Sequence, residues 1–184
     1  MAKKIGIIGL LLMVIAGSAA FGQVLRIGLD AALFTDDLDT LEEQFEDGSE
    51  FFIGPRVEIF LGRRFGLAGV LLFNKTEIEE QEDTRWDTDL AINIHYHLFG
   101  KGRFIDPFIE GGIGARGYHF DEAETEGFGA YMHAGAGIGV NLFGLGIHAL
   151  FSRNFEMDTE TEEDVERIPI EDWKFTLSAK MTLF

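Results

Sequence analysis

The chain has 184 residues, no cysteine, and 32 acidic against 15 basic residues, which gives a net charge of −17. This charge excludes a nucleic-acid-binding protein, because the phosphates of DNA and RNA require a basic surface. The absence of cysteine excludes a disulfide framework, and the length fits one domain after an N-terminal leader.

The first residues have the pattern of a secretory signal peptide. Lys3 and Lys4 precede an apolar run at 5–16, and small residues follow. The run is too short for a comfortable membrane-spanning helix, so we expect cleavage rather than anchoring. Cleavage after residue 20 or after residue 22 fits the pattern. We divide the chain into a signal peptide (1–22) and one mature domain (23–184), whose net charge would be −19.

Eight segments of the mature domain alternate apolar residues with polar or small ones. Strict alternation with a period of two predicts β-strands that have one apolar and one polar face. In chain order the predicted strands are 24–33, 51–61, 66–75, 86–98, 105–118, 128–142, 145–155 and 173–184. The third segment is apolar on both faces, so its register is the least defined.

Long and short connections alternate between these segments. The long ones are acidic stretches that hold 26 of the 32 carboxylates, at 34–50, 76–84, 119–127 and 156–172. The short ones are turns at 62–65, 99–103 and 143–144. A membrane barrel has long loops at one end and short turns at the other. We therefore predict an all-β, eight-stranded, antiparallel up-and-down transmembrane β-barrel.

The polar faces favour a membrane barrel over a soluble one. A soluble barrel buries its apolar face, whereas a membrane barrel turns that face to lipid and fills its lumen with polar groups. Here the polar faces carry charges of both signs and many glycines, which suit a narrow lumen. We expect a polar lumen network of Arg26, Asp30, Arg56, Glu58, Asp89, His95, His97, Glu110, Arg116, His133, His148, Lys174 and Lys180.

An even number of strands puts both termini at the end that carries the short turns. Two of these turns are basic, with Arg63 and Arg64 in one and Lys101 and Arg103 in the other. We predict that both termini and the turns are periplasmic and that the acidic loops are extracellular. Aromatic residues expected at the two membrane interfaces are Trp86, Tyr118, Phe128, Phe155 and Trp173 near the loops, and Tyr96, Phe99, Phe104 and Phe143 near the turns.

Two glycine-containing segments carry a family resemblance. Asp-Pro-Phe-Ile-Glu-Gly-Gly-Ile-Gly-Ala at 106–115 and Ala-Gly-Ala-Gly-Ile-Gly-Val at 134–140 resemble strands of the small eight-stranded outer-membrane β-barrels, the group of OmpX, the OmpA transmembrane domain and OmpW. Phe184 is similar to the C-terminal aromatic residue that this family uses as its assembly signal. The resemblance implies a bacterial outer-membrane location, contact with outer-membrane lipid and with the assembly machinery, and a monomer.

No segment has the spacing of a catalytic or cofactor site. Gly135, Gly137 and Gly139 alternate within a strand, whereas a phosphate cradle needs a glycine turn before a helix. They are better explained as room for large lumen neighbours. His148 and Ser152 lie about 13 Å apart along one strand and cannot form a hydrolytic dyad directly. We predict no cofactor and no enzyme, with a lipid-modifying enzyme as the less favoured alternative.

Metal binding has two candidate locations. His95 and His97 share a strand face and could chelate zinc, but a hydrogen-bonded lumen network explains them without a metal. The acidic stretches 36–39 and 158–164 offer many oxygen ligands without the glycine spacing of a calcium loop. We predict no defined metal site, and we keep divalent cations and surface partners as ligands of the loops.

The functional prediction follows from this architecture. We expect an outer-membrane barrel with a structural or surface-interaction role, exerted through its acidic extracellular loops. The alternative is a small channel for cations or small apolar solutes. Eight strands leave an interior that side chains largely fill, which disfavours the channel. The fold by itself does not decide between these roles.

Overall fold

The computed structural model describes residues 24–35, 50–78, 83–101, 103–120, 126–157, 165–168 and 170–183. The predicted signal peptide, the final Phe184 and most of the acidic stretches lie outside the described residues. Within these ranges, no helix is long and apolar enough to cross a membrane.

The described residues form nine β-strands. They are β1 (Val24–Thr35), β2 (Glu50–Leu61), β3 (Phe65–Ile78), β4 (Asp83–His97), β5 (Ile105–Phe120), β6 (Glu126–Leu142), β7 (Leu145–Met157), β8 (Val165–Arg167) and β9 (Trp173–Thr182). Eight of them coincide with the eight predicted segments, and most extend a few residues further. Only β8 was not predicted.

Eight of the strands close into an antiparallel barrel. Each pairs with its neighbours in the order β1 to β7, and then β9 pairs with both β7 and β1. The closing register sets Ile27 opposite Met181 and Asp30 opposite Ser178. The prediction of an eight-stranded up-and-down barrel is confirmed.

The short strand β8 lies beside β6, outside this circuit. It runs parallel to Glu126–Phe128, whereas β7 pairs with β6 only from Ala130 onwards. The backbone amide of Ile168 donates to the carbonyl of Phe128 at 3.0 Å. A three-residue strand within an acidic stretch shows no alternation, which is why periodicity did not predict it.

The short connections share one end of the barrel, which we call the turn end; the other is the loop end. Phe143 and Gly144 both have positive φ, 50° and 84°, as a two-residue hairpin with a type I′ turn requires. The amide of Thr182 donates to the carbonyl of Gly144 at 2.8 Å, so β9 also finishes at the turn end. Phe65, predicted within a turn, instead opens β3.

The outward-facing side chains form an apolar belt. Leu90, Ile92 and Ile94 alternate along β4 and are each more than half exposed, while Ala91 and Asn93 between them are buried. The same pattern runs round the other strands, through Ile113 and Leu177 among others. A continuous apolar belt of this kind is stable against lipid hydrocarbon and not against water. The fold is therefore that of a transmembrane barrel.

Near the loop end, part of the inner face is apolar. Ala32, Phe34, Phe52, Val70 and Leu72 form a buried cluster contributed by β1, β2 and β3. This cluster explains why the β3 segment is apolar on both faces: one face meets lipid and the other packs inside the barrel. The sequence predicted the polar residues of the lumen and did not predict this apolar cluster.

Introducing a charge into the belt tests which face meets lipid. Replacing Ile92 by Arg should reduce the free energy of unfolding by about 2–4 kcal/mol, because an outward guanidinium near mid-membrane lacks water. The matched control is Phe99→Arg at the turn end, where the cost should be at most about 1 kcal/mol. Reversible denaturant titration of the barrel in lipid vesicles measures both. Equal costs for the two variants would contradict the assigned belt.

Candidate functional site

All thirteen predicted lumen residues lie on the inner face of the barrel. Each is at most 6% exposed. Of the other buried carboxylates, Asp106 and Asp172 belong to the same network. Asp106 lies four residues before Glu110 on β5, so side-chain parity predicts that it also points into the lumen. Asp172 was assigned to an acidic loop, although it has the parity of the inward Lys174.

Arg56 occupies the centre of the lumen. Its Nη1 donates to Oδ2 of Asp30 at 3.0 Å, and its Nη2 donates to Oε2 of Glu110 at 2.8 Å. The same Nη2 lies 2.9 Å from Nε2 of His95. The other oxygen of Glu110 accepts from the side-chain amide of Asn93 at 2.8 Å. One guanidinium thus joins β2 to β1, β4 and β5 across the barrel.

A second group lies towards the loop end and includes Asp172. Arg116 donates through Nη1 to Oδ2 of Asp172 at 2.6 Å, and the Asn154 side chain donates to Oδ1 at 2.5 Å. The backbone amide of Asn154 also donates to the Asp172 carbonyl at 2.8 Å. The neighbouring Ile170 is fully buried. The chain after β8 therefore returns into the barrel before β9 begins.

Asp89 connects this group to β6 and β9. It accepts hydrogen bonds from the Tyr131 hydroxyl at 2.8–2.9 Å. It also lies within ion-pair distance of Lys174 and Arg116, at 3.4 and 3.5 Å. The Arg116 guanidinium stacks 3.8 Å from the centre of the Phe34 ring. This cation–π contact joins the ionic group to the apolar cluster.

A third group lies near the turn end around Glu58. Lys180 Nζ is 3.2 Å from Oε2 of Glu58, and His95 and His97 approach Oε1 at 3.4 and 3.7 Å. Nδ1 of His97 forms a 2.9 Å hydrogen bond with Asp106. His95 belongs to both the central and the third group, and His133, 3.5 Å from Glu110 and beside the Tyr131 ring, connects the central group to the second. We call the three connected groups the lumen column of charges.

Aromatic and basic side chains border this third group at the turn end. The guanidinium of Arg26 lies 4.7 Å from the centre of the Phe60 ring, and the ammonium of Lys101 lies 5.1 Å from it. Partial burial, and then the charge of Arg26, lower the pKa of Lys101 below its usual value. These side chains narrow the mouth of the barrel at this end.

The glycines of β6 make room for inward rings, as the sequence indicated. A Cβ on Gly137 would clash with the Phe108 ring, and one on Gly139 would meet His148 at 2.8 Å. Both glycines lie within a strand and not before a helix, so they are not a phosphate cradle. Nε2 of His148 is 3.1 Å from the Asn141 side-chain oxygen.

Known structures share this architecture. The N-terminal β-barrel domain of Pseudomonas aeruginosa OprF superposes with a TM-score of 0.62 at 11% identity, over 87% of this chain and 97% of that domain. A major outer membrane protein from Thermus thermophilus gives 0.58 at 9% identity, over 86% of this chain and 99% of that protein. This chain has the fold of the small eight-stranded outer-membrane β-barrels.

A third similar structure is Ail, the attachment invasion locus protein of Yersinia pestis, solved in complex with the heparin analogue sucrose octasulfate. Its TM-score is 0.53 at 12% identity, over 88% of this chain and 97% of Ail. No protein-family model and no curated protein matches the chain. Identities of this size establish the fold and leave the role to be argued from this chain's own residues.

Removing the central guanidinium should destabilise the barrel strongly. Arg56→Leu leaves Asp30 and Glu110 buried without their cation, so the free energy of unfolding should fall by about 3–5 kcal/mol. The control Arg167→Leu breaks the exposed Arg167–Glu156 pair, which should cost at most about 1 kcal/mol. Denaturant titration in lipid vesicles compares the two. A loss for Arg56→Leu no larger than the control's would contradict the central role of this side chain.

Proposed function

We propose that this protein is a bacterial outer-membrane barrel that serves as a stable scaffold for acidic extracellular loops, with a structural or surface-interaction role. The fold, the apolar belt and the barrel neighbours support the membrane assignment. The lumen column of charges supports a role outside the lumen, because the described interior is occupied by side chains that pair with one another.

The orientation in the membrane is part of this proposal. The turn end carries Arg63, Arg64, Lys101 and Arg103, whereas the long connections at the loop end carry most of the carboxylates. We assign the turn end and both termini to the periplasm and the loop end to the cell surface. This is the usual distribution of short turns and long loops in outer-membrane barrels. Assembly through the outer-membrane machinery, with Phe184 as its signal, belongs to the same assignment.

The loops should select positively charged partners. Apart from Asp172, which lies in the lumen, the four acidic stretches carry 25 carboxylates at one end of a barrel whose mature net charge would be −19. Such a surface attracts divalent cations and basic segments of other proteins, and it repels polyanions. Neither the lumen contacts nor the spacing of its hydroxyl and imidazole groups supports enzymatic activity, so we propose a binding role and no catalysis.

Neutralising one loop tests the interaction role. Replacing the acidic residues of 158–164 by Asn and Gln should weaken binding of a lysine-rich peptide and of Ca²⁺ several-fold at low salt, because the attraction is electrostatic. The opposite-end control is Arg63→Gln with Arg64→Gln, which should not weaken binding. Titration of the folded barrel in detergent, repeated at high salt, measures both. Binding that is equal in all variants and insensitive to salt would overturn the proposal.

Bilayer recordings test the channel alternative. The wild-type barrel should give no reproducible conductance steps, because ions would have to cross the Arg56, Asp30 and Glu110 contacts. A double variant, Arg56→Ala with Glu110→Ala, removes both members of one pair and should show small, brief steps, which establishes the sensitivity of the recording. Regular cation-selective steps from the wild type would favour the channel.

A further inference from the structure

Three buried side chains near the turn end converge on one point that the proposed function does not use. Glu58 comes from β2, and His95 and His97 come from β4. All three are 0% exposed, and one ligand atom from each lies within 4.8 Å of the others. Two histidines and a glutamate are a ligand set that zinc commonly takes in proteins.

The interatomic distances suit a tetrahedral ion. Oε1 of Glu58 lies 3.4 Å from Nδ1 of His95 and 3.7 Å from Nε2 of His97. Zinc binds nitrogen and carboxylate oxygen at about 2.0–2.1 Å, which places neighbouring ligands of a tetrahedron about 3.3 Å apart. Two edges of the tetrahedron are therefore nearly formed. The ligand atoms of the two histidines lie no more than 4.8 Å apart, so this third edge has to shorten when the ion binds.

The candidate ligand atoms of Glu58 and His97 lack hydrogen-bond partners, whereas Nδ1 of His95 lies 3.4 Å from Nη2 of Arg56. Neither oxygen of Glu58 nor Nε2 of His97 makes a hydrogen bond with any described residue, although Lys180 forms an ion pair with Oε2. Polar atoms buried in this way cost free energy unless something satisfies them. Two of the three unsatisfied atoms, Oε1 and Nε2, face each other across the proposed position of the ion.

His97 is already oriented as a metal ligand. Its Nδ1 lies 2.9 Å from Oδ1 of Asp106, a contact that puts the ring proton on Nδ1. The lone pair of Nε2 then points towards Glu58. A carboxylate that holds the distal nitrogen of a histidine is the usual second shell of a metal site, and it makes the other nitrogen a better ligand.

His95 can bind an ion through Nδ1 only in the tautomer whose ring proton is on Nε2. For Nδ1 to bind an ion, Nε2 must carry the proton and donate to Oε2 of Glu110, which lies 3.7 Å away. Arg56 would give up its contact with Nε2 and keep its bonds to Asp30 and Glu110. The rearrangement breaks the two contacts between the guanidinium and the His95 ring and preserves the two with carboxylates.

The surrounding charge favours a divalent cation. With both histidines neutral, the ligands, their charged partners and the Asp30 bound to Arg56 comprise four carboxylates and two cations, a sum of two negative charges; Arg26 and Lys101 lie beside the Phe60 ring, which packs on His97. The carboxylates are Glu58, Asp30, Asp106 and Glu110, and the cations are Arg56 and Lys180. A divalent ion would bring their sum to zero, and buried charges are stable only when they are compensated in this way.

We propose that Glu58, His95 and His97 bind a zinc-class divalent ion inside the barrel, with water as the fourth ligand. The ion would enter from the turn end, past Arg26, Lys101 and the Phe60 ring. Bound there, it ties β2 to β4 across the lumen. Zinc, and not a hard cation such as calcium, is selected because two of the three ligands are imidazoles.

Metal titration of the untagged, folded barrel in detergent tests the site. After treatment with a chelator, the wild type should bind one equivalent of Zn²⁺ and raise its melting temperature on binding. With Co²⁺ it should show the visible absorption of a four-coordinate ion. Glu58→Gln and His97→Gln should each weaken binding by at least about tenfold, since losing even a second-shell partner costs that much.

Two control variants separate this site from other binders. His148→Gln removes a lumen histidine outside the ligand set, and the 158–164 neutral variant removes loop carboxylates. Both variants should still bind one equivalent of Zn²⁺ tightly. X-ray absorption of the zinc-loaded wild type makes the test independent of variant folding. It should show two imidazole nitrogens beside oxygen ligands. A shell of oxygen alone, an absence of binding, or binding unaffected by both ligand substitutions would overturn the proposal.

Discussion

The interior of this barrel depends on the guanidinium of Arg56. Eight strands turn their apolar faces to lipid, so the polar faces must satisfy one another within the lumen. Arg56 does this for Asp30 and Glu110 together, and it thereby connects four strands that are not all neighbours in the wall. The loop-end and turn-end groups extend this contact in both directions. The wall closes by backbone hydrogen bonds, while ion pairs and hydrogen bonds connect the side chains of the interior.

Alternation in the sequence was sufficient to predict the strands, their faces and the thirteen inward polar residues, because side-chain parity is a local property. Partners could not be predicted in the same way. The meeting of Glu58 with His95 and His97 depends on the register of β2, β3 and β4, which no single segment encodes. Asp172 and β8 were not predicted for a related reason. They lie in an acidic stretch whose composition is that of a loop and does not indicate that the chain returns into the barrel.

Side-chain parity also explains why this fold is similar to known barrels at only 9–12% sequence identity. A strand in this fold requires only an apolar residue at every second position and a residue that fits the lumen between them. Many sequences meet that requirement, so the architecture is retained even when sequence identity is low. Specific chemistry then resides in the choice of inward residues and in the loops, where we place the two proposals for this protein.

The glycines of β6 have a consequence for how the interior can vary. The bore of an eight-stranded barrel is fixed by strand number and shear, so all inward side chains must fit into one fixed volume. Phe108 occupies space that Gly137 leaves open, and His148 does the same over Gly139. At Gly137 a Cβ would also lie 2.5 Å from the backbone oxygen of Ala149, so a smaller side chain at 108 would not make room for it. At Gly139 the three nearest atoms all belong to the His148 side chain, so a larger residue there should be tolerated together with a smaller residue at 148.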